Sequence, residues 1–496
     1  MMLLSEIFKG APAIDIKTLA IDSRKDMTDG IFFCIKGFRT DGHRFIKDAI
    51  HNGAKAIVYH DEIDTSEKAV YIKVDDVIKV MNQVIKKFYN DPSEKMEMYA
   101  VTGTNGKTTI ATLIKELIDI DEPCGYIGTL GMDYADVKID ADLTTPTAIE
   151  LGSHLEDMVQ KGVKACAVEV SSIGLEQHRT DAIDFDVAIF TNFTHDHLDY
   201  HGTMENYFKA KKKLFDDLGY DTIAITNVDD EVGLDIVQDT KAKVITYGIE
   251  NDADYMAKDI KLDAGYTQFV LVHADHSYMI STNLVATFNI YNLLAVLAAL
   301  DQMGHDLEHF IGKLKTLKPV AGRMHKIDEG QDFTVIVDFA HTPDGLQKVF
   351  EYAQKITPSS KNIVAVFGSA GGRDRSKRKT FGELADYYCD KIVLTEDDPR
   401  DEDPYMIAKE IAEGIKRHEY IIVESREEAI HIALEMLNSK DTLLILGKGD
   451  EDFIYRDFGK EPYAGDDNIA IRYIRKMKEE KDNGTSEIYR PHTIEG

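Results

Sequence analysis

Cysteine is scarce. The 496-residue chain has four, Cys34, Cys124, Cys166 and Cys389, and no two form a C-x-x-C pair. This argues against a disulfide framework and against a structural zinc site. Long apolar runs are also missing. The longest, around Leu293–Leu300, falls well short of the roughly 20 residues that span a bilayer, so no membrane insertion is expected. The apolar start, Met1–Leu4, gives way at once to Ser5 and Glu6. It is too short for a signal peptide, and a cytoplasmic protein is expected. Cations are in deficit, with 58 Lys and Arg against 88 Asp and Glu and a net charge of -30. A general nucleic-acid or anionic-membrane binder needs the opposite balance. No repeat period is present.

What remains is a folded, water-soluble composition, 43% hydrophobic and 29% charged. At about 150 residues per domain the length suggests three domains. The expected class is α/β. A small N-terminal α/β domain covers 1–95, with Asn90-Asp91-Pro92-Ser93 as its closing turn. A central P-loop mononucleotide-binding domain covers 96–318, and Lys315–Gly322 reads as the next linker. A C-terminal Rossmann-like domain covers 319–496, because strand-like runs at Phe333–Asp338, Ile363–Phe367, Lys391–Thr395 and Thr442–Leu446 alternate with helical stretches. One helix is marked by Asp403 as N-cap and Pro404 at its first position, with Ile407, Ile411 and Ile415 as its buried stripe. The tail from Lys478 is polar and expected to fray.

The central motif is Thr102-Gly103-Thr104-Asn105-Gly106-Lys107-Thr108-Thr109, between a strand-like run (Met98–Val101) and a helix with Ile110, Leu113, Ile114 and Leu117 at helical spacing. Glycines let backbone N–H groups and the helix N-terminus converge on phosphate oxygens. Lys107 supplies a cation for the β- and γ-phosphates, and Thr108 or Thr109 a hydroxyl for Mg²⁺. Val101 stands where the common phosphate-loop pattern has its first glycine. Glu169-Val170-Ser171-Ser172 and the segment His195–His201 follow two further strand-like runs, at the strand ends where α/β ligands collect. A carboxylate and an imidazole there are candidate ligands for a second divalent cation. Lys209-Ala210-Lys211-Lys212-Lys213 is the one basic run. Taken alone it reads as a solvated helix face.

Together these motifs resemble the Mur ligases, and within that family the UDP-N-acetylmuramoyl-tripeptide synthetases. The resemblance covers nearly the whole chain. It rests on Asp22-Ser23-Arg24, Asp41-Gly42-His43 and Gly53-Ala54; on Thr102–Thr109, Thr144-Thr145-Pro146, Glu169–Ser172, His178-Arg179, Asp196–His201 and Phe288–Asn292; and on Gly322-Arg323-Met324, Asp338–Gly345, Asp397-Asp398-Pro399-Arg400 and Gly447–Glu451. It implies an ATP-dependent ligase, expected as a monomer, that adds a diamino acid to the D-glutamate of UDP-N-acetylmuramoyl-L-alanyl-D-glutamate through an acyl phosphate, in peptidoglycan precursor synthesis. A sister Mur or folylpolyglutamate-type ligase is the alternative in the same class. A phosphate-loop ATPase acting as a switch is the alternative outside it.

The resemblance also implies roles. Gly103 to Thr109 would cradle ATP, with Asn289 and Asn292 on the adenine side and Arg323, Asp338 and His341 towards the ribose. Thr108, Glu169, His197 and a carbamate on Lys211 would hold Mg²⁺, two ions being expected, and Lys107, Lys211 and His197 would be catalytic. Lys212 and Lys213 are expected to be solvated. Ser23, His43, Thr144, Thr145, Ser171 and Arg179 would meet the UDP-linked substrate, and Arg373, Asp398, Arg400, Gly447 and Glu451 the amino acid. Ala286 replaces the family's usual glycine, a change expected to be tolerated. Diaminopimelate enzymes usually read Asp-Asn-Pro-Arg where this chain has Asp398 in second place. At about 4 Å and an effective dielectric near 20, one added like charge costs on the order of 4 kcal/mol. Against the distal carboxylate of meso-diaminopimelate this favours L-lysine if Arg400 is silenced by pairing to Asp398; a free Arg400 pulls the other way, towards meso-diaminopimelate, which is the alternative.

Overall fold

A computed structural model describes residues 2–37, 40–263, 265–317 and 319–482; Lys318, in the expected linker, lies outside them. Near the N-terminus β1 (Thr18–Ala20), β2 (Gly30–Phe33), β3 (Ala54–Tyr59) and β4 (Val70–Lys73) form a parallel sheet in chain order. Helix α1 (Val77–Phe88) is capped by Asp76, whose carboxylate accepts from Lys79 N. It turns Val77, Met81, Val84 and Ile85 inward at helical spacing. Among the contacts that tie this unit to the next, Lys86 pairs with Asp184 at 2.6 Å, Lys25 with Glu150 at 3.0 Å, and Asn82 donates to His178 O at 3.2 Å.

The central sheet begins with β5 (Glu97–Thr102), which is followed by α2 (Lys107–Ile118). Then come β6 (Cys124–Gly128), β7 (Gly131–Tyr134), β8 (Val137–Ile139), β9 (Ala165–Glu169) and β10 (Val187–Phe190). Helix α3 (Met204–Asp216) precedes β11 (Ile223–Asn227), β12 (Lys243–Gly248), β13 (Tyr255–Leu262), β14 (Thr267–His273) and β15 (His276–Thr282). The order is β8-β7-β6-β9-β5-β10-β11-β12-β13-β14-β15. Strands β6, β9, β5, β10, β11, β12 and β13 pair in parallel, and β7, β8, β14 and β15 add antiparallel edges. The parallel strands read as continuous apolar runs because helices cover both faces.

Helix α4 (Thr287–Gln302) is buried along most of its length against one face. Its N-cap, Ala286, has φ 75° and ψ 152° and is buried. A Cβ is accommodated there, but in a backbone region that favours glycine, at a cost of about 1–3 kcal/mol.

The third sheet has β16 (His325–Ile327), β17 (Thr334–Asp338), β18 (Ile363–Phe367), β19 (Lys391–Leu394), β20 (Tyr420–Ile422) and β21 (Thr442–Leu446) in the order β16-β17-β21-β18-β19-β20, parallel except for β16. The helix after Asp403 runs Pro404–Ala412 with the expected cap and N-terminal proline. Helix α5 (Arg426–Glu435) precedes β21, and a hairpin of β22 (Phe453–Arg456) and β23 (Gly459–Pro462) follows it. The final helix, α6 (Asp466–Asp482), carries the backbone past Lys478 in helical form, and residues 483–496 lie outside the described region. All four cysteines are free and buried.

Candidate active site

Register places the site. In the sheet β5 lies between β9 and β10, with Glu169 opposite Val101 and Phe190 opposite Thr102. The loop after β5 therefore emerges between the carboxylate ending β9 and the segment following β10. Gly103 (φ 148°) and Gly106 (φ 90°) allow a very tight curl. A Cβ on Gly103 would fall 1.8 Å from Thr191 Oγ1, and one on Gly106 2.7 Å from Asn292 Oδ1. Thr104 N donates to Asn192 O and Asn105 N to Asn192 Oδ1. Lys107 is half-buried, and its ammonium donates to Gly103 O (3.0 Å) and Thr104 O (2.8 Å). Desolvation lowers its pKa. Thr109 is buried in α2. Asn292 donates to Asn289 Oδ1 at 3.0 Å, beside the loop.

Glu169 is fully buried, and four donors reach its carboxylate: Thr108 Oγ1 (3.0 Å), Tyr126 OH (2.6 Å), Thr129 N (3.0 Å) and Thr129 Oγ1 (3.2 Å). Its carbonyl accepts from Thr145 Oγ1 at 2.8 Å; Thr145 bonds Ser171 Oγ, and Arg179 donates to Thr145 O at 2.6 Å. Thr144 Oγ1 lies 3.2 Å from Thr129 Oγ1. The structure thus gathers Thr108, Thr144, Thr145, Glu169, Ser171 and Arg179 into one connected cluster. Ser23 and His43 are not part of it. They stay in the N-terminal unit, where Ser23 O accepts from Asn52 and His43 Nδ1 lies 2.7 Å from Asp41.

On the other side of the loop, Lys211 is 1% exposed. Its Nζ donates to Gly103 O at 2.7 Å and sits 4.7 Å from the centre of the Tyr207 ring. Burial, and then the nearby Lys107 charge, push its pKa far down, which favours the neutral amine. His197 lies 3.4 Å from Asp196 and is held near 4 by burial, so its ring is neutral at pH 7. Lys212 and Lys213 differ from expectation. Lys212 is mostly covered and paired with Asp216 (2.5 Å) and Asp239 (2.7 Å), while Lys213 donates to Leu175 O. The acid-rich surface supplies partners for even this run.

The C-terminal unit closes over the loop. Asn105 Nδ2 donates to Asp344 Oδ2 (2.8 Å), His195 Nε2 lies 2.8 Å from Asp374, and Arg323 Nη2 donates to Thr108 Oγ1 at 3.4 Å. Arg323 stacks 4.2 Å over Phe339, and Asp338 accepts from Met324 N and Ala340 N. His341 is held near 4, chiefly by burial. Between the two units lies a cleft of about 860 Å³, lined by His197, His341, Arg373, Asp398, Arg400, Gly447 and Glu451 among others.

The C-terminal side of this cleft corrects the charge argument made from sequence. Asp398 does not pair with Arg400. Its Oδ1 accepts from the buried Lys448 ammonium at 2.8 Å and from Tyr455 N at 3.0 Å, so its charge is compensated from within the protein. Lys448 also reaches Glu451 at 2.5 Å. Arg400 has no ion-pair partner among the described residues. Its guanidinium lies 5.3 Å over Tyr455, and its Nε is buried without an acceptor. Sequence reasoning gave Lys448 no role, although it stands inside Gly447–Glu451, and it missed Lys377, whose Nζ donates to His341 O at 3.0 Å at the cleft wall. No spacing rule joins Lys448 to a carboxylate in a different loop.

A glycine-rich strand-to-helix loop, a C-terminal unit bonded across it and a cleft between the two units suit an ATP-dependent amide ligase, and this chain is one. It belongs to the Mur ligase family, in the MurE branch. The Mur ligase family catalytic domain matches residues 15–91, the Mur ligase middle domain 101–300, and the Mur ligase glutamate ligase domain 322–449. A UDP-N-acetylmuramoyl-L-alanyl-D-glutamate–2,6-diaminopimelate ligase of Halalkalibacterium halodurans is 38% identical over 95% of this chain and 96% of its own. The enzyme of the same name from Clostridioides difficile is 39% identical over 95% and 97%. A solved structure of a ligase with that name aligns with a TM-score of 0.69 at 29% identity, covering 96% of this chain and 99% of its own. The MurF ligase of Thermotoga maritima, solved with ADP, shares the fold at a TM-score of 0.64 and 19% identity, over 95% and 99% of the two chains.

Proposed function

We propose that the chain joins meso-diaminopimelate, rather than L-lysine, to the D-glutamate of UDP-N-acetylmuramoyl-L-alanyl-D-glutamate. The observation that carries this is Arg400, a guanidinium with no ion-pair partner among the described residues, in the cleft beside an Asp398 already paired with Lys448. A distal carboxylate completes Arg400, whereas lysine leaves it unsatisfied. The names of the relatives support the same choice. In this reading residues 1–95 bind the UDP moiety through Ser23 and His43, 96–318 bind ATP, and 319–496 bind the amino acid.

The reaction has two displacements. The glutamate side-chain carboxylate attacks the γ-phosphorus of ATP, ADP leaves, and an acyl phosphate forms. The amine of diaminopimelate attacks the acyl carbon, inorganic phosphate leaves, and an amide remains. Lys107 and the loop amides offset phosphate charge. Arg373, Glu451 and Gly447 orient the α-amino and α-carboxylate end.

The donors fit Mg²⁺. Thr108 and Glu169 offer buried hard oxygens in mutual contact, and His197 offers a neutral imidazole. Lys211 has the buried amine that carbamylation needs. The neutral amine adds to carbon dioxide and releases a proton, turning an uncharged amine into an anionic, carboxylate-like ligand. Bound there, Mg²⁺ supplies charge compensation for the transferring phosphoryl group.

The test is amide-product formation with L-lysine and meso-diaminopimelate in parallel. A kcat/KM at least about tenfold higher for diaminopimelate is expected. An equal preference for lysine would overturn the assignment.

A further inference from the structure

The amino-acid pocket is built from two loops, Asp397-Asp398-Pro399-Arg400 after β19 and Gly447–Glu451 after β21. The strand order puts β18 between β19 and β21, so no ladder hydrogen bond fixes the distance between the two loop bases. The loops nevertheless approach closely, since a Cβ on Gly447 would lie 2.4 Å from Asp397 Oδ2.

A buried ion pair beneath them spans the gap. Arg426, the first residue of α5, and Asp466, the first of α6, have side chains with no exposed surface. The guanidinium meets the carboxylate in a two-pronged pair, Nε to Oδ1 at 2.8 Å and Nη2 to Oδ2 at 2.7 Å. Tyr463 OH donates to the same carboxylate at 2.8 Å. Two of the three remaining guanidinium protons go to main-chain carbonyls. Nη1 donates to Glu396 O at 3.1 Å, and Nη2 to Leu446 O at 2.9 Å. These carbonyls are the last before the two pocket loops.

We propose that Arg426, oriented by Asp466, is a positioning residue for the amino-acid substrate: its planar fork sets the spacing of the two loops that carry Asp398, Arg400, Gly447 and Glu451. Lysine cannot substitute, because a point-charge ammonium has no rigid fork to hold two carbonyls and a carboxylate in one plane. A buried pair is weak grounds for stability, since well-packed apolar residues often replace one without loss. Its geometry is what apolar residues cannot supply. The inference rests on the assignment of the amino-acid pocket above.

The experiment compares steady-state kinetics of the full-length enzyme and four variants, Arg426→Lys, Asp466→Asn, the apolar pair Arg426→Met with Asp466→Leu, and Arg400→Ala, with folding followed by thermal melting. In the first three, KM for meso-diaminopimelate is expected to rise at least about tenfold, with KM for ATP within about twofold of the parent, because sub-ångström misplacement of binding groups falls on the ligand they hold. The apolar pair is expected to melt at or above the parent temperature and still to show the raised KM. An unchanged diaminopimelate KM in any folded variant overturns the proposal. So does a parallel rise in both KM values, or failure of all three to fold, which assigns the pair to stability alone. Arg400→Ala separates the two readings: if it leaves diaminopimelate KM unchanged, the pocket assignment fails. If it raises that KM while the Arg426 variants do not, only the positioning role fails.

Discussion

Arg400→Ala tests the choice of amino acid at the residue that carries it. The guanidinium has an aromatic face beneath it and no carboxylate partner among the described residues. A charge-assisted pair with a substrate carboxylate in such a partly desolvated site contributes about 1.5–3 kcal/mol, or roughly 10- to 150-fold in kcat/KM. L-Lysine has no distal carboxylate and is expected to lose less than about threefold. Alanine is the right replacement. Arg400 sits at φ 57°, and alanine keeps its Cβ, so backbone strain is the same in both proteins, whereas glycine would relax the loop. The companion Asp398→Asn separates bare charge from paired charge. A bare like charge of about 4 kcal/mol predicts that removing it favours diaminopimelate by roughly a thousandfold. The pairing with Lys448 predicts a shift within about threefold, since an internal cation already offsets that charge. The assay is amide product from each amino acid at matched saturation of ATP and UDP-peptide. An equal loss for both amino acids in Arg400→Ala would refute the reasoning, as would a thousandfold gain for diaminopimelate in Asp398→Asn.

Three further outcomes follow from the geometry. Lys211→Ala is expected to abolish ligation and to regain part of it with acetate; full activity in the unsupplemented variant removes the carbamate. Ala286→Gly exchanges about 1–3 kcal/mol of backbone strain for about 0.5–1 kcal/mol of unfolded-chain entropy, so a thermal midpoint raised by a few degrees is expected, and a lower midpoint contradicts the strain. Glu451 is held near 7, chiefly by burial and against the pull of Lys448, with Asp398 and Asp397 adding to the rise. Its folded value lies above the ordinary 4.5, so its stabilising contribution is full below about pH 4.5 and lost as pH rises through 7. Ammonium binding needs the ionised form. KM for diaminopimelate is therefore expected to fall as pH rises from 6 to 8, and Glu451→Gln to flatten that profile; an unaltered profile in the variant excludes Glu451 as the titrating group.

The sequence made the inner architecture legible because parallel strands are short apolar runs and the phosphate loop has a fixed grammar. Helix α2 lies where Ile110, Leu113, Ile114 and Leu117 placed it, and the Asp403-Pro404 cap begins its helix as read. The antiparallel edges were less legible. Strand β14 alternates buried with partly buried positions and β15 is largely exposed over its first half, a weaker signal than a continuous run. Candidate residues were findable where a motif named them, as with Lys107 and Glu169. What could not be found was who pairs with whom. Asp398 looks like a free charge until Lys448, fifty positions later, folds against it. Lys212 looks solvated until Asp239 comes round to meet it. Ala286 looks harmless because a dihedral angle is not written in a residue's name.

The four unpaired, buried thiols have a consequence for handling and physiology alike. Burial is the first cause of the upward shift at each, taking Cys34 to about 12 and Cys124, Cys166 and Cys389 higher. Oxidants and alkylating reagents attack thiolate, and the native molecule offers them almost none. Peroxide and mixed-disulfide reagents therefore have no quick handle on these thiols while the chain stays folded. The same property makes the cysteines internal clocks: each one that reacts records an opening of the strand or helix end that covered it.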